Sequence, residues 1–140
     1  MFQKWVRPGE LSAMFVREEV QYVPPATRDA WRQLSSAFDY DFVSDSSRAL
    51  DGNGIVVDIG RAHEALKGVL APLNYRNLDE VPEFKGVNTT TEFLTKHIFD
   101  RLAAIARAGG LGRDGRELHA IRVTISESHV ARASCEAALW

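Results

Sequence analysis

Histidine is absent from the first 62 residues of this 140-residue chain, and a single cysteine, Cys135, occurs anywhere in it. One cysteine excludes an internal disulfide and a cysteine-built structural zinc site, and it suits a reducing compartment. Charge of one sign is lacking too: a formal net charge of −2 offers no electrostatic hold on nucleic acid or an anionic membrane surface. No apolar run approaches the roughly 20 residues that span a bilayer, and the first residues lack the hydrophobic stretch of a signal peptide. These absences lead us to expect a soluble cytoplasmic protein with no nucleic-acid and no membrane partner.

What is present is ordinary globular material, organised around one stretch. With 45% hydrophobic and 26% charged residues, the chain fits one domain with a real core, and not two. Residues 1–12 mix Phe2, Trp5 and Val6 with Lys4, Arg7, Pro8 and Gly9 without a sustained period, so we read them as an N-terminal extension and residues 13–140 as the domain. Inside it, residues 82–102 carry the clearest pattern. Pro82 and Gly86 break regular structure, Asn88 or Thr89 can cap a helix starting near Thr90, and Glu92 can complete a capping box with Thr89. Leu94, Ile98, Leu102 and Ile105 then recur as one buried stripe.

On either side the periods are shorter. Residues 13–23 are β-branched and aromatic and end at Pro24-Pro25, which predicts a strand with Glu18 and Glu19 on opposite faces. Residues 26–36 read as a short helical or turn segment. In residues 37–44, Phe38, Tyr40 and Phe42 alternate with Asp39 and Asp41, a half-buried strand with an aromatic and an acidic side. Asp51-Gly52-Asn53-Gly54 predicts a turn, and Ile55-Val56-Val57 resumes the strand to make a hairpin. Residues 61–73 form a helix with Ala62, Ala65, Leu66, Val69, Leu70 and Leu73 as its stripe, stopped by Pro72.

Beyond the second helix, Gly109-Gly110-Leu111-Gly112 follows a helix and precedes a strand, the wrong order for a phosphate cradle, and reads as a helix stop. In residues 118–127, Glu127 continues the face of Ile121, Val123 and Ile125, where a carboxylate is costly to desolvate unless something donates to it. Residues 130–139 place Ala131, Ala133, Cys135, Ala137 and Leu139 on one side, a small-residue face for packing under helices, with Cys135 a small buried hydrophobe. The order ββααββ predicts an α+β fold, two helices on one face of an antiparallel sheet.

Three runs in this order carry a resemblance. Phe84-Lys85-Gly86-Val87-Asn88-Thr89-Thr90-Thr91-Glu92-Phe93 is similar to the Phe-Lys-Gly-Val-Asn-Pro-Thr-x-Glu-Asn run of the 6-pyruvoyl tetrahydropterin synthase and 6-carboxytetrahydropterin synthase family, with Thr89 at the usual Pro and Phe93 at the usual Asn. Residues 54–60, Gly-Ile-Val-Val-Asp-Ile-Gly, resemble the family's Gly-Met-Val-x-Asp-Phe-Gly, and residues 72–79 its Pro-Leu-Asp-His-x-x-Leu-Asn. The resemblance covers about residues 37–137. It implies the tunnelling fold, whose sheets close into barrels as trimers or hexamers with active sites between subunits, and a small heterocyclic ligand. In support, two helices cover only one face of such a sheet, so its other face and edges need partners.

The same resemblance implies chemistry that this sequence lacks. The family's zinc is held by three histidines, two of them in a His-Gly-His-Asn-Tyr run; aligned on Tyr40, that run reads Ser36-Ala37-Phe38-Asp39-Tyr40 here. His63, His97, His119 and His129 are scattered at no ligand spacing, so no metal or other cofactor is expected. The family's catalytic Cys has no counterpart in residues 26–35, and its Asp-His pair is replaced by Asn74 and Tyr75. The ring-binding Glu and Thr of the family fall on Glu127 and Thr90, with Asn88 and Thr91 beside them as further ligand-binding candidates. A carboxylate suits this work because its two oxygens meet two parallel N–H donors.

Three readings follow. One is a zinc-independent lyase, cyclase or isomerase on a pterin-like heterocycle, with Glu127 as anchor or base and Tyr40, Tyr75, Asp39 or Glu19 as acid/base candidates. The others are a non-catalytic binder or assembly subunit and a conventional synthase with a rearranged site.

Overall fold

The computed structural model of the chain describes residues 10–12, 16–23, 34–45, 57–128 and 130–140, and within its first three strands the side chains of Ala37 and Tyr40. Its elements run β1 (Glu10–Ser12), β2 (Val16–Val23), β3 (Leu34–Asp45), α1 (Ile59–Leu70), β4 (Arg76–Asn77), α2 (Thr91–Arg107), β5 (Ala120–Ser126) and β6 (Arg132–Ala138).

The sheet is ordered β4-β2-β3-β5-β6, with β1 also on β3. Every pairing is antiparallel except the two-residue β2–β4 pairing, which is parallel. The sheet therefore exceeds the expected four strands. Glu10–Ser12, read as part of the extension, pairs with β3, and Leu34–Ser36, read as helix or turn, already belongs to β3. The turn and strand expected at residues 51–56 lie outside the described residues.

Each helix follows from its stripe and its ends. Asp58 opens α1 by accepting a hydrogen bond from the Arg61 N–H at 3.1 Å; Ala62, Leu66, Val69 and Leu70 are buried, and the helix stops before Pro72. In α2 the cap is Thr90, whose hydroxyl accepts from the Phe93 N–H at 3.2 Å, and not Asn88 or Thr89. Thr90 stands extended immediately before the first helical residue, whereas Thr89 is turned inward and buried. Of the expected stripe Leu94, Ile98 and Leu102 are buried and Ile105 is only partly so, while Phe99, Ala103 and Ala106 complete the buried face.

Gly109 ends α2 in the left-handed region at φ 79°; its N–H reaches the Ala106 carbonyl at 3.1 Å while the Gly110 N–H reaches that of Ile105 at 2.9 Å. This Schellman pattern settles the glycine run as a helix stop.

Both helices cover the same face. There α1 packs over β2, and α2 packs over β5 and β6. Ile121, Val123 and Ile125 of β5 are fully buried beneath them, each contributing about 1.5–3 kcal/mol of burial. The alternate residues face the open side, where Arg122 pairs with Glu136 at 2.8 Å and the Thr124 and Ser134 hydroxyls meet at 2.9 Å. Along residues 131–139, Ala131 and Ala137 are exposed and Cys135 is half-buried, so the small-residue side is covered less than expected. A strand at the sheet's margin has helix over only part of its face, and the buried residue of this side, Leu139, lies just past the end of β6.

Candidate functional site

Glu127 sits where β5 ends, one residue past Ser126, and the strand's alternation turns it to the helix-covered side. Its backbone is fixed by the hairpin to β6: the Glu127 and Ser128 N–H groups both donate to the Ala131 carbonyl, at 2.9 and 3.3 Å. Its side chain meets the first turn of α2, where the Thr91 hydroxyl donates to Oε1. Thr91 is pinned in turn, because the buried Thr95 hydroxyl donates to its carbonyl at 2.7 Å. The donor that the carboxylate required is thus a threonine of the opposing helix.

The arrangement leaves acceptor capacity unused. A carboxylate has about four lone-pair sites, and among the described residues only Thr91 donates to this one. Oε2 and the second lone pair of Oε1 remain for a ligand. The N-terminal end of α2, with its positive dipole end, lies at the same place. An anchor with its backbone held on one side and its oxygen on the other is suited to bind paired N–H donors without rearranging.

The other sequence candidates do not converge with it. Thr90 spends its hydroxyl on the helix cap, so the threonine on the carboxylate is Thr91. Asn88 is exposed and its carbonyl accepts from the Thr90 N–H at 2.9 Å. Between them Thr89 is 7% exposed, and its hydroxyl has no hydrogen-bond partner among the described residues. Tyr75 is 68% exposed at φ 56°, a left-handed conformation that costs a non-glycine residue roughly 1–3 kcal/mol.

Tyr40 lies in the core. It is 1% exposed, and its hydroxyl donates to the Ala62 carbonyl of α1. Burial pushes its pKa far above the usual tyrosine range, so it cannot trade protons with a ligand near neutral pH. Its burial weighs against the acid/base role expected for it.

Glu19 and Asp39 have described backbone only. In register, Glu19 pairs with Ala37 and Ala37 with Ser126, while Asp39 pairs with Thr124. Both positions thus alternate with the helix-covered rungs of Ile125 and Val123 and belong to the pleat opposite to that of Glu127. Neither Thr91's contact nor the burial of Tyr40 was singled out from sequence. The signals were Thr91 and Thr95 one helical turn apart, and Tyr40 on the aromatic side of its strand.

The zinc that the family resemblance implies does not fit the residues present. Neither β2 nor β3 contains a histidine, and Tyr40, in the run aligned with the ligands, is committed to the core. Among the described residues no three or more His, Cys, Asp or Glu side chains gather closely enough to hold a metal ion. Also among them, no helix is long and apolar enough to cross a membrane.

Comparison with solved structures extends the fold. The chain superposes on a Caenorhabditis elegans 6-pyruvoyl tetrahydropterin synthase with a TM-score of 0.65 at 16% identity, covering 95% of this chain and 99% of that one. A catalytic-residue mutant of the Plasmodium vivax 6-pyruvoyltetrahydropterin synthase gives a TM-score of 0.67 at 14% identity, covering 92% and 98%. The Plasmodium falciparum 6-pyruvoyl tetrahydropterin synthase gives 0.61 at 15% identity, covering 92% and 97%. These likenesses identify the fold as the tunnelling fold. No match was found among curated protein sequences. The model of one family, 6-pyruvoyl tetrahydropterin synthase, matches residues 30–138. That span contains both helices, the Glu127 hairpin and most of the sheet, and the chain belongs to the 6-pyruvoyl tetrahydropterin synthase family.

Proposed function

We propose that the protein binds a pterin-like 2-amino-4-oxo heterocycle through Glu127 and transforms it by a zinc-independent lyase, cyclase or isomerase reaction. The observation that carries this reading is the Glu127 carboxylate, braced by Thr91 and still able to accept two parallel N–H donors. Family membership supports pterin-related chemistry. The missing histidines support a route without the family's metal, since neither Ser36 nor Phe38, at the two aligned histidine positions, can supply a neutral imidazole ligand. We further propose a cytoplasmic homo-oligomer, trimer or hexamer, with sites completed between subunits. The polar open face of β5 and β6, and the outer edge of β6, which pairs with no strand among the described residues, support that part of the reading.

A second reading, a non-catalytic binder or assembly subunit, is favoured by one observation. Tyr40, an acid/base candidate, gives its hydroxyl to Ala62 and is buried. Titration calorimetry of the metal-free protein with neopterin, a carboxypterin, guanine and a non-pterin control tests both. Binding that is lost in Glu127→Gln supports the anchor, and turnover of a bound pterin would then separate enzyme from binder. No binding to any of the three, with the oligomer intact, overturns the pterin-type site.

A further inference from the structure

The segment that leads into Thr91 is tied to α2 by one side-chain cluster, and that cluster contains a histidine. Pro82–Phe84 forms a single 3-10 turn whose Phe84 is buried. Phe84 meets the His97 ring edge-on, with centroids 4.9 Å apart and planes at 80°; Phe93 stacks against His97 at 6.1 Å and 20° and meets Phe84 edge-on at 5.5 Å, so the three rings form a triangle. Glu83, from the same turn, pairs with the Arg101 guanidinium, and Arg101 Nε donates to His97 Nε2 at 3.2 Å. His97 is therefore the hub between the turn and the helix.

The chemistry of that last bond is one-sided. A ring nitrogen accepts only when it carries no proton, so the contact requires neutral imidazole with its hydrogen on Nδ1. A proton on Nε2 would remove the acceptor and set a second cation against the guanidinium. The Glu83–Arg101 pair adds little of its own to the packing of Phe84, because its side chains are 57% and 46% exposed and exposed ion pairs contribute little.

We propose that His97 is a proton-operated latch: when neutral it holds the Pro82–Phe84 turn on α2 through Arg101, and when protonated it releases the 82–90 connector. The charged groups facing the ring are Arg101 and Asp100 from α2 and Glu83 from the turn. Burial lowers the His97 pKa most, Arg101 lowers it further, and the two carboxylates oppose them without reversing the shift. The folded state therefore favours the neutral ring. The latch is closed above the ordinary histidine value of 6.5 and loosens as pH falls below it.

The connector runs without a break into Thr90 and Thr91, so its release also loosens the hydroxyl on Glu127. That consequence rests on the proposed ligand site; the latch itself does not. Hydrogen exchange on the ligand-free full chain tests the latch separately, after correction for the intrinsic pH dependence of exchange. The reporting amides are Phe84, Val87 and Thr90, which donate to Val81, Phe84 and Asn88 carbonyls at 2.9, 3.0 and 2.9 Å.

Between about pH 7.5 and about pH 5, where histidine gains its charge, their opening should rise about three- to tenfold, the worth of one net hydrogen bond. Amides inside α2 should not follow. His97→Gln, whose amide oxygen accepts from Arg101 but takes no proton, should flatten the step. A step that persists in His97→Gln, one shared by the interior of α2, or no step in the parent protein overturns the proposal.

Discussion

Tyr40 and Glu127 belong to the same helix-covered face of the sheet, about 13 Å apart along its strands, and both carry oxygen where apolar side chains are the rule. Tyr40 lies under the middle of the layer, where its hydroxyl donates to the Ala62 carbonyl, and it is consumed as a core residue. Glu127 lies at the end of β5, where the hairpin and the first turn of α2 hold it without using all its lone pairs. A polar group in mid-sheet is there to be satisfied, whereas one at the strand's end can be braced and still left open. The contrast predicts that stability and ligand binding divide between the two residues.

The largest effect should come from Tyr40→Ala. Removing a fully buried aromatic ring leaves a cavity between β3 and α1, and a loss of about 3–5 kcal/mol in urea unfolding is expected. Next comes Glu127→Gln, with the reverse signature. Its unfolding midpoint should stay close to the parent's, while affinity for a pterin-type ligand falls about 10- to 150-fold in calorimetry, the worth of a hydrogen bond to a charged group. A Glu127→Gln protein that binds normally would dissolve the comparison, since both residues would then be structural.

Much of this face can be read in the sequence, and the failures have definite causes. The stripe of Leu94, Ile98 and Leu102 gives α2, and the alternation through Ile121, Val123 and Ile125 gives both β5 and the need of Glu127 for a donor. Which hydroxyl supplies the donor is not legible. Thr89, Thr90 and Thr91 are chemically identical, and only the start of the helix decides that one is buried, one caps and one reaches the carboxylate.

For Tyr40 the aligned run and the strand pattern point different ways: the run makes it an acid/base candidate, and its alternation with Asp39 and Asp41 puts it on the aromatic side. The strand expected at residues 13–23 is β2, but β1 escaped for a different reason. Ser12 pairs with Val43 and Val16 with Tyr40, four residues advanced against three, so no single alternation can run from residue 10 to residue 23. The β4 pairing involves two polar residues and leaves no pattern at all.

The alkaline limb of stability sharpens the Tyr40 side. Its folded pKa lies above the unfolded value of about 10, so above that pH the unfolded chain gives up a proton that the native state retains. Stability from this group is fully present below about pH 10 and declines as pH rises, by up to about 1.4 kcal/mol per pH unit. Urea titrations from about pH 9 to about pH 11 should show this decline in the parent and a shallower one in Tyr40→Phe. Equal slopes would mean that the hydroxyl is more open to water than its burial indicates.

The smallest effect separates two residues that differ only in position. The Thr89 hydroxyl is buried without a partner among the described residues, so Thr89→Val removes an unsatisfied group at nearly constant shape. It should stabilise the protein by up to about 1 kcal/mol, a rise in Tm of roughly 3–5 °C by calorimetry. Thr91→Val makes the same chemical change two residues on, but it strips the carboxylate of its donor; it should leave stability unchanged or lower and weaken ligand binding. Opposite signs would show that the first turn of α2 assigns these hydroxyls their work. If Thr89→Val instead weakens binding, the orphaned hydroxyl gains its partner from the ligand, and the site extends one turn further toward the connector than Glu127 alone marks.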